Sequence, residues 1–333
     1  MIRIYFGSSV NIKSFLQVNN TDYIDVIYRN EICYFITNSN EAFALVRFKA
    51  ACSAEQGEEK FRIHRNILLG VGADECMDVS VENGLVTASF YDENMLPRCH
   101  CTFKVQVVPE TMYEEKMNLA ADVCEAAVID GDEYDPLFRI AVLGNGIVNV
   151  DDGVAAVFLQ NNTRIYSKVT TNLSFSFTKE AFRALCRCSK HFCSVRNYLI
   201  AHNEDFFVVV KKARLNSNSE YRLISSNRFG SKYVAEINLS NIFCFLARTN
   251  AKIDSITLDF TQEAGLVSSF SAEFSIPVAI ENYKLAEGAS MEPVSLSASL
   301  FSGVLNNLGS NVFTVKVKKN YVQFETERFI VVV

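Results

Sequence analysis

Apolar and polar positions alternate in short runs along most of the chain, and the runs recur in three passes of similar order. In the first pass, residues 1–108, Met1–Phe6 predicts a strand and Val10–Val18 a short helix that buries Ile12, Phe15 and Leu16. Strands follow at Tyr23–Tyr28, Glu31–Thr37 and Ala42–Phe48, then a polar loop at Cys52–Glu59. Lys60–Ile63 leads into a second short helix, Asn66–Ala73, and Met77–Val81, Leu85–Tyr91 and His100–Val107 complete the pass. Asn83-Gly84 between two alternating runs is a hairpin signal, since both residues accept the positive φ of a two-residue turn.

The second pass, residues 109–220, opens with helical spacing over Met112–Val128 and a polar loop at Asp130–Glu133. Phe138–Leu143 and Ile147–Val150 then read as strands about Gly144-Asn145-Gly146, followed by Ala155–Leu159 and Leu173–Phe177. A helix is expected over Thr178–Phe192 with Thr178 as its N-cap, and Tyr198–Ala201 and Phe206–Lys211 close the pass. The third pass, residues 221–333, offers a strand at Tyr233–Leu239, a helix at Ser240–Thr249, and strands at Ile256–Phe260, Leu266–Phe270, Glu273–Val278 and Val294–Leu296. A helix at Ser299–Leu308, a hairpin of Val312–Val317 with Tyr321–Glu325, and a last strand at Phe329–Val333 end it. Each pass is thus an α+β domain: a sheet with one apolar face and two short helices. Three such domains side by side would give continuous outer sheets with paired helices within.

Composition agrees with this division. A chain of 333 residues exceeds what one core ordinarily serves, and 49% hydrophobic content with 26 Phe can fill three. The net charge of −6 excludes a uniformly basic surface, so any anion-binding role depends on where the charges lie. The 10 Cys are scattered through apolar runs, with no signal-peptide pattern and no apolar stretch long enough to cross a membrane. Reduced, mostly buried thiols and a cytoplasmic location without membrane contact are expected.

One helix concentrates positive charge. Lys179, Arg183, Arg187 and Lys190 stand at i, i+4, i+8 and i+11, within about 80° of arc at about 100° per residue. Phe182, Leu185, Cys186 and Ser189 fall on a separate arc. Like charges at this spacing repel, and neutralisation by phosphates is a physical reason for the arrangement, beside the plainer reading of a solvated face. Lys13 in the first pass, Lys116 in the second, and Arg248 and Lys252 in the third can join a basic surface, while Ser299–Leu308 carries no charge. So uneven a lining predicts weak, salt-sensitive, sequence-independent contact with duplex DNA.

Catalytic constellations are sparse. His64, His100, His191 and His202 form no local triad or metal pattern, and the cluster Cys186, Cys188, His191 and Cys193 does not present its thiols together on a helix. Asp151-Asp152-Gly153 reads as a turn, and Gly70-Val71-Gly72 lacks the lysine and spacing of a phosphate loop. No enzyme, cofactor or metal is expected.

In element order, over essentially all 333 residues, the chain resembles the bacterial β-type DNA polymerase sliding clamp. The most local matches are Gly146–Gly153, Phe177-Thr178-Lys179-Glu180-Ala181, and Tyr221-Arg222-Leu223-Ile224. Asp152-Gly153 matches the family's Asp-Gly pair and Arg222-Leu223-Ile224 its Arg-Leu-Ile, while Val154, Ala155 and Ala156 stand where the family has His-Arg-Leu. Such divergence suits a phage or viral clamp working in a host cytoplasm. The resemblance implies a head-to-tail homodimeric ring around duplex DNA that tethers the polymerase. It also implies a cleft for polymerase and clamp-loader peptides, bordered here by Asp152, Gly153, Val154, Ala155, Ala156, Ile330, Val331, Val332 and Val333. A non-ring or hetero-oligomeric processivity or checkpoint factor, and a structural β protein without a DNA role, are the alternatives; only the basic stripe speaks against the last.

Overall fold

The structure is a computed structural model that describes residues 1–7, 12–53, 57–72, 75–104, 113–122, 127–159, 162–214, 221, 224, 233–249, 253–259, 266–270, 275–279, 281–285, 293–318 and 321–333. The expected domain joins after Val108 and after Glu220, and the candidate Lys252, lie outside the described residues.

In the first pass the elements are β1 Ile2–Tyr5, α1 Ile12–Leu16, β2 Tyr23–Arg29, β3 Ile32–Asn38, β4 Ala42–Cys52, β5 Glu59–His64, α2 Arg65–Leu68, β6 Cys76–Glu82, β7 Leu85–Tyr91 and β8 Pro97–Lys104. Next come α3 Glu114–Asp122, β9 Val128–Asp130, a 3-10 turn Gly131–Tyr134, α4 Asp135–Ala141, β10 Gly144–Asp151, β11 Val154–Leu159, β12 Arg164–Lys168, β13 Phe175–Thr178, α5 Lys179–Cys188, β14 His191–Val195, β15 Tyr198–His202 and β16 Phe206–Lys211. The third pass has β17 Tyr233–Asn238, α6 Ser240–Arg248, β18 Ser255–Asp259, β19 Leu266–Phe270, β20 Ser275–Ala279, β21 Glu281–Leu285 and β22 Val294–Ser297. It ends with two tight turns of helix, Leu300–Val304 and Leu305–Leu308, then β23 Val312–Val317, β24 Val322–Glu325 and β25 Phe329–Val332.

The chain divides into two compact units. The first comprises Met1–Gly131 and Glu180–Lys212, the second Asp132–Lys179 and Ala213–Val333. In the first unit a 12-stranded sheet runs β8-β7-β6-β1-β4-β16-β15-β14-β9, with β3, β2 and β5 branching from β4. The second holds a 9-stranded sheet, β13-β10-β11-β12-β25-β24-β23-β17-β21, and a 4-stranded one, β20-β19-β18-β22.

One pairing scheme generates all three sheets. β2 lies between β3 and β5, β10 between β11 and β13, and β18 between β19 and β22. The opening strand of each pass pairs with the third from last: β1 with β6, β9 with β14, β17 with β23. β4 also joins β16, through Phe206↔Val46 to Val210↔Ala42, and its counterpart β12 joins β25, through Arg164↔Val332 to Ser167↔Phe329. The remaining counterparts, β8 and β20, stand at sheet ends among the described residues.

Local chemistry explains most elements. Asn83 and Gly84 have φ of 51° and 74°, and Asp152 and Gly153 of 48° and 77°, so both pairs make the two-residue turns whose twist suits a hairpin. α1 buries Ile12, Phe15 and Leu16 as expected. The expected strand Phe138–Leu143 is instead largely helix: α4 starts at Asp135 with Pro136 in its first turn and buries Leu137, Phe138, Ile140 and Ala141. An apolar run this short carries no period that separates helix from strand, and Pro136 is the local signal for a helix start. α2 is shorter than expected, and the expected helix Ser299–Leu308 is a π-type turn followed by a 3-10 turn that ends at left-handed Gly309. The phenylalanines fill the cores edge to face: Phe6 meets Phe48 at 4.9 Å in the first unit, and Tyr134 meets Phe177 at 5.6 Å in the second. Cys33, Cys76 and Cys193 are buried, but Cys99, Cys186 and Cys244 are exposed, so the expectation of mostly buried thiols holds only for part of the set.

Candidate functional site

α5 follows β13 without a break and buries Ala181, Phe182, Ala184 and Leu185. Sinking Phe182 and Leu185 stabilises the fold by about 2 kcal/mol each, which fixes the opposite face outward. Arg183 and Arg187 are exposed on that face and Lys179 is half-buried at its start; none of the three forms an ion pair among the described residues. The helix ends at Cys188, earlier than the expected Phe192, so Lys190 does not continue the stripe. Lys190 is exposed in the following turn, where its carbonyl accepts from Gly131 N–H at 2.8 Å. Of the separate arc, Phe182 and Leu185 are buried, Cys186 is exposed and Ser189 half-buried.

Three of the other expected cations can be placed. Lys13 on α1 and Arg248 at the end of α6 are exposed. Lys116 on α3 turns inward: its Nζ donates to Asn38 Oδ1 at 2.9 Å and lies 5.3 Å from the centre of the Phe43 ring, and desolvation pulls its pKa below the usual lysine range. An ammonium so engaged is a structural contact rather than a free phosphate ligand.

The residues expected to border a cleft sort by strand alternation. Val154 and Ala156 of β11 and Val332 of β25 share a buried apolar cluster with Tyr166 of β12 and Ile224; Phe158, Tyr221, Tyr321 and Ile330 pack on it partly exposed. Cross-strand register makes this one face, since Ala156 faces Tyr166 and Tyr166 faces Ile330. Ala155 and Val331 alternate to the opposite face and are fully buried. Asp152 and Gly153 form the β10–β11 turn, and Val333 exchanges backbone hydrogen bonds with Val322 at 2.9 and 3.0 Å. Tyr166 and Tyr221, whose rings approach to 5.6 Å, were not found from sequence, because only the β12–β25 register brings them beside the C-terminal strand. Burial and the nearby charge of Glu325 push the Tyr221 phenol up.

A matching face exists in the first unit on β3, β4 and β16, the counterparts of β11, β12 and β25. Ile36, Phe43, Leu45, Phe207 and Val209 form part of that cluster, and Tyr113 and Leu119 join it, Met117 packing alongside. Tyr113 hydroxyl donates to buried Asp25, which also receives the Arg62 guanidinium. α3 therefore covers the apolar face and supplies a polar anchor at one edge.

Among the described residues no cluster of His, Cys, Asp or Glu is arranged to hold a metal ion, and no helix is long and apolar enough to cross a membrane. No protein-family model matches the sequence, and no curated protein does. Solved structures match over the whole chain. The DNA polymerase III subunit beta of Pseudomonas aeruginosa is 12% identical with a TM-score of 0.71, covering 100% of this chain and 99% of that one. The DNA polymerase III beta chain of Streptococcus pneumoniae TIGR4 gives 9% and 0.71, and the Helicobacter pylori beta clamp 12% and 0.72, with the same coverage. With its strand pairing repeated three times, this chain therefore has the fold of the bacterial β sliding clamps from end to end.

Proposed function

We propose that the protein is a DNA polymerase processivity factor: two copies join head to tail into a ring that encircles duplex DNA, slides on it and tethers a polymerase. The single observation that carries this reading is the repeated edge pairing. β4 is joined by β16 and β12 by β25, while β20 and β8, which hold the same places in the scheme, remain at sheet ends among the described residues. Joining β20 of one copy to β8 of another completes the pattern a third time, and an unpaired strand edge is a template for such addition. The exposed cations of α5 supply sequence-independent phosphate contacts, and the apolar face of β11, β12 and β25 receives peptides of the polymerase and its loader. Fold likeness to sliding clamps supports the role, and such a role needs no catalytic group.

Light scattering across a concentration series tests it. A mass of about twice 37.4 kDa, together with retention on circular DNA that is lost on linearisation, is the expected result. A monomer at every concentration refutes the homodimeric ring.

A further inference from the structure

Two buried polar atoms at one end of the β11–β12–β25–β24–β23 face have no partner among the described residues. Lys318 is 4% exposed, and its Nζ makes no hydrogen bond there; it lies 5.5 Å from the centre of the Tyr321 ring. Gln323 is fully buried and donates its Nε2 to Glu325, while its Oε1 is unbonded. Lys316, two residues before Lys318 on the same side of the sheet, has its counterion in Glu325 at 2.5 Å. Of two neighbouring lysines, one is neutralised and the other has no anion among the described residues. Burying an ammonium without an anion is strongly unfavourable, so its retention calls for a ligand that supplies one.

The first unit shows how this surface is completed when its cover is built in. There α3 and the residue before it lay Tyr113, Met117 and Leu119 on the corresponding strands, and the Tyr113 hydroxyl donates to Asp25. In the second unit Tyr221 and Ile224 pack on the cluster, and Tyr321 spans from the cluster to Lys318. Among the described residues the apolar cover is present, and the charged anchor is missing.

We propose that Lys318 is the receptor for an acidic side chain of the partner peptide that docks on this face. The peptide seats apolar side chains against Phe158 and Ile330, which border the cluster partly exposed. Its carboxylate displaces the Tyr321 ring and pairs with Lys318 Nζ. The inference rests on the docking role given to this face above and adds the chemistry of the occupant: apolar with one acid, not apolar alone.

The probes are capped six-residue peptides carrying Leu and Phe, each made in two forms that differ only by Glu or Gln at one position scanned along the peptide. Titration calorimetry with the full-length protein is expected to show one Glu peptide binding about tenfold tighter than its Gln twin, the scale of one charge-assisted hydrogen bond. In Lys318→Met that preference disappears, while binding of the Gln twin is kept. Equal affinity of every Glu and Gln pair for the unmodified protein overturns the carboxylate receptor and leaves the docking role standing. Binding of no peptide overturns it as well. If Ile330→Asp then leaves polymerase stimulation intact, the docking role falls too.

Discussion

At the scale of single residues, the thiols divide by environment in a way that chemistry can read. Burial pushes Cys33 and Cys188 up to about 12 and Cys193 up to about 11, while Cys99, Cys186 and Cys244 are exposed. Brief treatment of the native protein with a thiol-specific disulfide reagent at about pH 8, read by peptide mapping, should label the exposed three and spare the other three. The same shifts give a pH dependence. Above the ordinary thiol pKa of about 8.5, the unfolded chain releases these protons while the folded chain holds them, so stability falls as pH rises towards about 12. Urea unfolding midpoints should therefore drop between about pH 8.5 and 10.5, and a Cys33→Ala, Cys188→Ala variant should drop less. That these cysteines sit in apolar runs was legible in the sequence. Which of them faces the core was not, since Cys186 and Cys188, two apart on one helix, differ in exposure by their angle to a sheet that the sequence does not show.

At the scale of elements, legibility followed the strength of the local signal. The Asn83-Gly84 hairpin, the buried side of α1 and the start of α5 were readable because turn chemistry and amphipathic spacing act within a few residues. α4 is not legible as a helix because its apolar run, Phe138–Leu143, is too short to show a period, and the helix expected to carry Lys190 stops at Cys188. On the apolar face of β11, β12 and β25, Val154, Ala156, Ile330 and Val332 are legible from sequence, whereas Tyr166 and Lys318 depend on register between strands far apart in the chain. Strand direction also makes the β8 edge testable. Along a strand successive N–H groups point to opposite sides, so of Thr102 and Phe103 one donates towards β7 and the other towards the open edge. Proline at the first should lower the melting temperature with the dimer intact; proline at the second should yield monomers with the melting temperature of the monomer fold unchanged. Calorimetry with analytical ultracentrifugation separates the two, and monomers from neither variant would remove β8 from the interface.

At the scale of the whole molecule, electrostatics and closure predict different things. For the proposed clamp role, a net charge of −6 with exposed Arg183 and Arg187 predicts DNA contact that is local and weak. Replacing both arginines by Glu should lower the slope of log affinity against log salt by about 2, at about 0.9 for each phosphate no longer neutralised, without changing the oligomeric mass. An unchanged slope would take α5 off the DNA. The order of elements made the threefold plan legible from sequence, but the continuation of sheets through β4–β16 and β12–β25 was not, because pairing between passes leaves no local mark. That continuation has a kinetic consequence. If two copies close through β8 and β20, each ring has two seams between chains, and a seam that opens while the other holds can reclose as a first-order event at high effective concentration. The lifetime of a closed ring on circular DNA is then independent of dilution, although assembly from free chains is not.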